Sequence, residues 1–157
     1  RPQPVTIVVT LQEEVARNIV VAPGKMGFLS VAVQYFASAR LVCTVPPTAF
    51  RPAPKVTSAV VRLDILANPA VDVDDREAFF SVVKSGFSAP RKQLRNSLAQ
   101  GLAVPPESIG DLLNRLGMDG SRRPATLSLN EWSSIYRAWD RVSNVESPGL
   151  RQAQSHP

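Results

Sequence analysis

The sequence predicts an α/β chain in two parts: a piece of sheet over residues 1–67, then a small all-helical domain over 72–142, with a polar tail over 143–157. Two observations carry this. β-Branched apolar runs occur only ahead of Asn68-Pro69, and behind that point the apolar residues recur at the one-face spacing of helices. A chain of 157 residues with a hydrophobic fraction of 44% can bury a core, in one domain or two small ones.

Residues 5–11, "VTIVVTL", are short, β-branched and nearly continuously apolar, the composition of a strand covered on both faces. "QEEVARNIVVA" follows as a short helix closed by Pro23-Gly24. "GFLSVAVQYFASA" fits helix or strand by period, and its length and the strand on each side favour a helix. Residues 40–45 read as a second strand with Cys43 buried in it, and 58–65 as a third, with Ala59, Val61, Leu63 and Ile65 on one face. In the second part, Asp74 or Asp75 can cap a helix through "REAFFSVVKSGF". Ser88 starts a helix over 89–99 that ends near Gly101. Pro105-Pro106 opens another, with Ile109, Leu112, Leu113 and Leu116 on one face and Gly117 as its stop. Ser128 and Glu131 form a capping box for the last helix, whose stripe of Trp132, Ile135, Tyr136 and Trp139 reads as core. From Ser143 the chain reads as a disordered tail.

Eighteen Lys and Arg against thirteen Asp and Glu give a net charge of +5, which favours a polyanionic partner such as nucleic acid. A single Cys43 excludes an internal disulfide framework and fits a reducing cytoplasm. No run is long enough for a membrane span, there is no metal-ligand spacing or phosphate-cradling glycine loop, and His156 alone, in the tail, cannot complete a Ser-His-Asp set. The opening "RPQP" lacks an initiator Met and runs directly into a strand, so the chain reads as part of something larger.

Two segments stand out chemically. In "FRPAPKVTSAVVRL", residues 50–63, Pro52 and Pro54 fix their own φ and push the preceding residues away from the helical region, so 51–54 should be an extended, stiff arm joining two strands. Phe50 at its start is either core or an exposed lip. A lip beside Arg51 and Lys55 is what an extruded base would stack on. In "SAPRKQLRNSL", Leu94 and Leu98 make the apolar stripe while Arg91, Lys92 and Arg95 fan out along the flank. Cations in a first helical turn oppose the macrodipole, a local rule broken without visible compensation. Either this is a solvated face, or phosphates supply the missing charge, aided by helix-terminal N–H groups.

Taken together and in order, "VVTLQEEVARNIV", "GFLSVAVQYF", "VPPTAFRPAPKVTSAVVRL", "FSAPRKQLRNSL" and "SRRPATLSLNEW" resemble the bacterial ribosomal RNA adenine dimethyltransferases of the KsgA type, from about Val8 to Trp139. The resemblance implies an S-adenosylmethionine-dependent enzyme that puts two methyl groups on N6 of two neighbouring adenosines of small-subunit (16S) rRNA, acting on the 30S particle in the cytoplasm. It implies a Rossmann-like methyltransferase domain followed by a small helical domain, of which this chain would be the C-terminal part of the sheet plus the helical domain. The family's glycine-rich loop, ribose-binding carboxylate and Asn-x-Pro-Tyr motif have no match here, so no catalytic or cofactor-binding residue is assigned, and no metal site. The family counterpart of Phe50 stacks on the flipped adenine; Arg91, Lys92 and Arg95 remain the candidate phosphate contacts, and Arg51 and Lys55, beside the lip, are further RNA-binding candidates from the residues themselves.

Three positions depart from that pattern: Pro90 where an Arg is usual, Glu13 in place of a Lys, and Ala125 in place of a Glu after Arg123. Two other readings stay open, a non-catalytic RNA- or ribosome-binding module and a relative that methylates large-subunit rRNA. A truncated sheet with a bare edge also predicts self-association.

Overall fold

The structure, a computed structural model, describes residues 4–146. Strand β1 (Thr6–Gln12) passes directly into helix α1 (Glu13–Val20), then α2 (Phe28–Phe36), which runs without a loop into β2 (Ala37–Val45), and β3 (Ser58–Ile65) completes the sheet. Helices α3 (Arg76–Gly86), α4 (Leu94–Leu102), α5 (Pro106–Arg115) and α6 (Leu129–Glu146) follow. The fold is mixed α/β, a small sheet ahead of a helical part, in the order the sequence predicts.

The sheet order is β1-β3-β2, with β3 antiparallel to both neighbours, so β1 and β2 run the same way and are joined across the top by α1 and α2. Register places Val9 opposite Val61, Leu11 opposite Ala59 and Ala39 opposite Leu63, so the inward residues of all three strands share one face. That face packs on Ala16 and Ile19 of α1.

Among the described residues nothing covers the other face of β1, contrary to the two-sided cover that the composition of residues 5–11 suggests. Burial along β1 alternates strictly, with Val8 60% exposed. This outer face carries polar pairs instead: Asp64 accepts from Thr6 and Arg62, and the Arg62 guanidinium holds its carboxyl below the usual carboxylate range. Cys43 is exposed rather than buried. Leu41 pairs with Val61 and Cys43 with Val60, so Val42 is an extra residue that flips the faces beyond it. Simple alternation from Leu41 points Cys43 inward; the bulge turns it out.

A second core lies among the helices. Phe79, Leu94, Leu98, Leu113, Leu127, Trp132, Ile135 and Tyr136 are fully buried there, as the aromatic stripe of α6 predicts, with Trp139 half-buried. Helix α2 serves this core too. The Tyr35 ring lies 5.4 Å from Phe79 and 5.1 Å from Phe80, and Phe79 lies 5.9 Å from Tyr136. The segment between sheet and helices is tied down: Ala70 N–H donates to Tyr35, Asp75 N–H to the Tyr136 hydroxyl, and Arg137 to the Asp72 carbonyl.

The predicted caps are present. The Asp75 carboxylate accepts from Ala78 N–H, and Ser128 and Glu131 exchange bonds at the start of α6. Helix α6 continues through Glu146, beyond the tail boundary expected at 143; the rest of that tail, with His156, lies outside the described residues. Among the described residues no helix is long and apolar enough to cross a membrane, and no cluster of side chains could hold a metal ion.

Candidate RNA interface

The lip is built by the connection from β2 to β3. After Val45, Pro46 and Pro47 lead into one 3-10 turn, Pro47–Ala49, which closes on Phe50 through a hydrogen bond from Phe50 N–H to the Pro47 carbonyl. Phe50 is 37% exposed and belongs to neither core, which removes the core reading. The arm beyond it is not uniformly extended as expected. It bends at Arg51-Pro52, a cis peptide, and again at Lys55-Val56. Residues 51–56 are all exposed. The arm is anchored at its far end, where the Thr57 carbonyl accepts from Glu13 N–H at 3.0 Å, the first amide of α1. Glu13 also pairs with Arg17 one turn on, so this departure from the family pattern has a local role.

Around α4 the structure corrects the sequence reading. The helix starts at Leu94, and Arg91 and Lys92 stand in the turn before it, so neither lies in its first turn. Ser97 explains the shift. Its fully buried hydroxyl donates to the Gly86 carbonyl and accepts from Ala89 N–H, while its carbonyl accepts from Ser88, fastening residues 86–89 against the side of α4 rather than in line with it. Arg95 does stand in the first turn. Two of the N–H groups expected to help hold phosphate are taken: Leu94 N–H donates to the Arg122 carbonyl and Arg95 N–H to that of Gly120. The stripe of Leu94 and Leu98 is buried as predicted.

Which cations are free is then decided by their partners. Arg17, Arg62 and Arg122 form ion pairs, and Arg137 and Arg115 donate to carbonyls. The side chains of Arg51, Lys55, Arg91 and Arg95, like those of Lys25, Arg40, Lys84 and Arg123, have no hydrogen-bond or ion-pair partner among the described residues, and Lys92 reaches only the neutral Gln100 amide at 3.1 Å. Arg91 and Lys92 line an open groove of about 700 Å³ between α4 and α5, with Gln93, Asn96, Gln100 and Pro106. Arg95 lies on the other flank, in a smaller recess of about 330 Å³ with Asn114 and Asp119. Its stem passes between two glycines: a Cβ on Gly110 would lie 3.3 Å from Arg95 Cδ, and one on Gly120 3.3 Å from its Cβ.

Charge and periodicity single out neither those glycines nor Arg122. The latter is a clamp, bonding Glu131 at the start of α6 and both the hydroxyl and carbonyl of Thr126. The capping-box spacing was the available signal for Glu131; nothing local marks its partner. Ala125, the other departure on this side, offers its carbonyl to Gly24 and Met26 N–H, joining the loop ahead of α2 to the helical part.

These residues do not form a cradle for S-adenosylmethionine. The described glycines lie between or within helices, none between a strand and the helix after it, and β1 passes from Gln12 straight into Glu13.

Residues 1–139 match the family model described as "Ribosomal RNA adenine dimethylase". The chain belongs to that family. Among ribosomal RNA adenine dimethylases, it is 46% identical over 135 residues to ribosomal RNA small subunit methyltransferase A of Desulfitobacterium hafniense, covering 85% of this chain and 48% of that protein. It is 47% identical over 132 residues to the protein of the same name from Pelotomaculum thermopropionicum, covering 82% and 45%. The chain thus spans about half the length of the curated relatives it matches. In three dimensions it resembles a dimethyladenosine transferase from Plasmodium falciparum, with a TM-score of 0.76 at 21% identity over 91% of this chain and 60% of that one, a likeness of fold. It also resembles the 23S rRNA methyltransferase ErmE, with a TM-score of 0.60 at 25% identity over 86% and 55%.

Proposed function

We propose that this chain is the C-terminal part of an S-adenosylmethionine-dependent enzyme that dimethylates N6 of two neighbouring adenosines in small-subunit rRNA, on the 30S particle during ribosome assembly in the cytoplasm. Residues 1–67 complete the methyltransferase sheet and carry the lip, on which Phe50 stacks the extruded adenine beside Arg51 and Lys55. Residues 72–142 dock the rRNA through Arg91, Lys92 and Arg95. S-adenosylmethionine is held by the part of the longer relatives that this chain does not match.

The observation that carries the reading is a pair of unpaired cations flanking the start of α4: Arg91, in the turn before the helix, and Arg95, in its first turn, are exposed and without an acidic partner among the described residues, and that first turn holds no acidic residue. Arg17, by contrast, is paired one turn away with Glu13. Salt titration of binding to a small-subunit rRNA fragment tests the reading. Replacing Arg91, Lys92 and Arg95 together by Ala should flatten the slope of log K against log salt by about one unit per lost phosphate contact. An unchanged slope returns these residues to an ordinary solvated face.

A further inference from the structure

We infer that Gln93, Asn96 and Gln100 form a row of amides along α4 that reads the shallow minor groove of an A-form RNA helix, and that this row makes the surface prefer RNA to DNA. The inference rests on the RNA-docking reading of this face and names what it recognises.

The three residues are spaced by three and four positions, so they share one side of the helix over about 10 Å of its axis. All three line the groove between α4 and α5, with Arg91 and Lys92 among its walls, Ala99, Val104 and Pro106 as apolar lining, and no carboxylate among the lining residues. Their hydrogen-bonding capacity is spare. Gln93 occupies the N-cap position, where Ser, Thr, Asp or Asn would bond the helix amides, and makes no side-chain cap bond. Asn96 sits inside the helix, where it is a poor former, and its amide has no partner among the described residues. Gln100 accepts from Lys92 Nζ at 3.1 Å through Oε1, which leaves its NH2 group free to donate outward.

A surface that only neutralises phosphate needs cations alone. Amides add groups that both donate and accept, matched to 2′-hydroxyls and to base edges, which do the same. The form of helix follows from shape. An α-helix with its side chains is about 10–12 Å across. The B-DNA minor groove, about 6 Å wide, does not admit it, and the A-form major groove is too deep and narrow for side chains to read. The A-form minor groove is wide, shallow and lined with 2′-hydroxyls. The B-DNA major groove, about 12 Å wide, is the one competing fit, and the experiment is chosen to separate the two.

The test compares binding of this chain to a short RNA duplex of small-subunit rRNA sequence, the DNA duplex of the same sequence, and the RNA duplex with 2′-hydroxyls replaced by hydrogen on one face. The unaltered chain should favour RNA over DNA. The variant Q93A/N96A/Q100A should lose about tenfold or more on RNA, a few-fold per lost bond, with DNA binding and the salt slope unchanged. Removing 2′-hydroxyls should cost the unaltered chain a similar factor and cost the variant almost nothing. R91A/K92A should weaken RNA and DNA alike. RNA binding whose preference and 2′-hydroxyl dependence survive in the amide variant overturns the inference and leaves the docking reading standing, as does tighter binding to DNA through its major groove. A chain that binds neither duplex overturns both.

Discussion

Phe50 shows how a single residue takes its meaning from its surroundings. Held at the end of a 3-10 turn and outside both cores, its ring has apolar surface to offer a partner rather than the interior. In an enzyme containing this chain, Phe50→Ala should cost about 1–3 kcal/mol of base stacking, read as a fall in kcat/KM for rRNA methylation. Phe50→Tyr, which keeps the ring, should retain most of it; equal activity in the Ala variant would end the stacking role. Glu131 is the structural counterpart. The Arg122 guanidinium, helped by Ser128 N–H, holds its carboxyl below the ordinary value of 4.5. Because the folded-state value is the lower one, the stabilisation is present above about pH 4.5 and is lost as pH falls through the depressed value. Glu131→Gln should therefore remove part of the acid sensitivity of the melting temperature. Near neutral pH it should lower stability by about 1–2 kcal/mol, from the weakened capping box and ion pair. A thermal melt whose pH dependence matches the parent down to pH ~3 would show the clamp to be inert.

At the level of elements, α3 and α4 meet closely because α4 carries no side chain where Gly101 crosses Ser85 of α3. A Cβ on Gly101 would lie 2.5 Å from Ser85 Cα, inside backbone that cannot move aside. Gly101→Ala should cost at least about 1–3 kcal/mol by overpacking, although Ala is the better helix former by about 1 kcal/mol. A melting temperature equal to or above the parent's would mean that the two helices separate freely. The start of α4 teaches the complementary lesson. Leu94 and Leu98 set the buried stripe correctly from their spacing, but spacing says nothing about where the first turn begins. That was set by Ser97 reaching Gly86 and Ala89, and by two amides spent on the loop at 120–122. A turn stabilised from outside the segment overrode the local pattern.

At the scale of the molecule, the sheet has, among the described residues, one packed face and one open face, with β1 and β2 each paired on one side only. Val5 is 81% exposed, and Val8 and Val42 also stand in solvent. Unpaired strand edges with apolar neighbours template association. We therefore expect the isolated chain to self-associate with rising concentration, measured by light scattering, and Val8→Lys on the outer face of β1 to reduce it. A monomer mass at high concentration for the unaltered chain would count against this. The polar pairs of Arg62 with Asp64 and Thr6 on the same face limit how dry such a contact could be.

The sequence by itself determined the order of strands and helices, the caps at Asp75 and Ser128, the apolar stripes of α4, α5 and α6, and the family, because each depends on residues a few positions apart or on a linear pattern of motifs. It also nominated Arg51, Lys55, Arg91 and Arg95, whose side chains are among those that stand unpaired. The tertiary structure alone decided that Phe50 is outside both cores, that a bulge turns Cys43 outward, that Arg122 is a clamp while Arg91 and Arg95 are free, and that amides of α4 border the same groove as Arg91 and Lys92. Each of those turns on a partner far along the chain, and local spacing carries no record of which distant carbonyl, ring or carboxylate will arrive beside a given side chain.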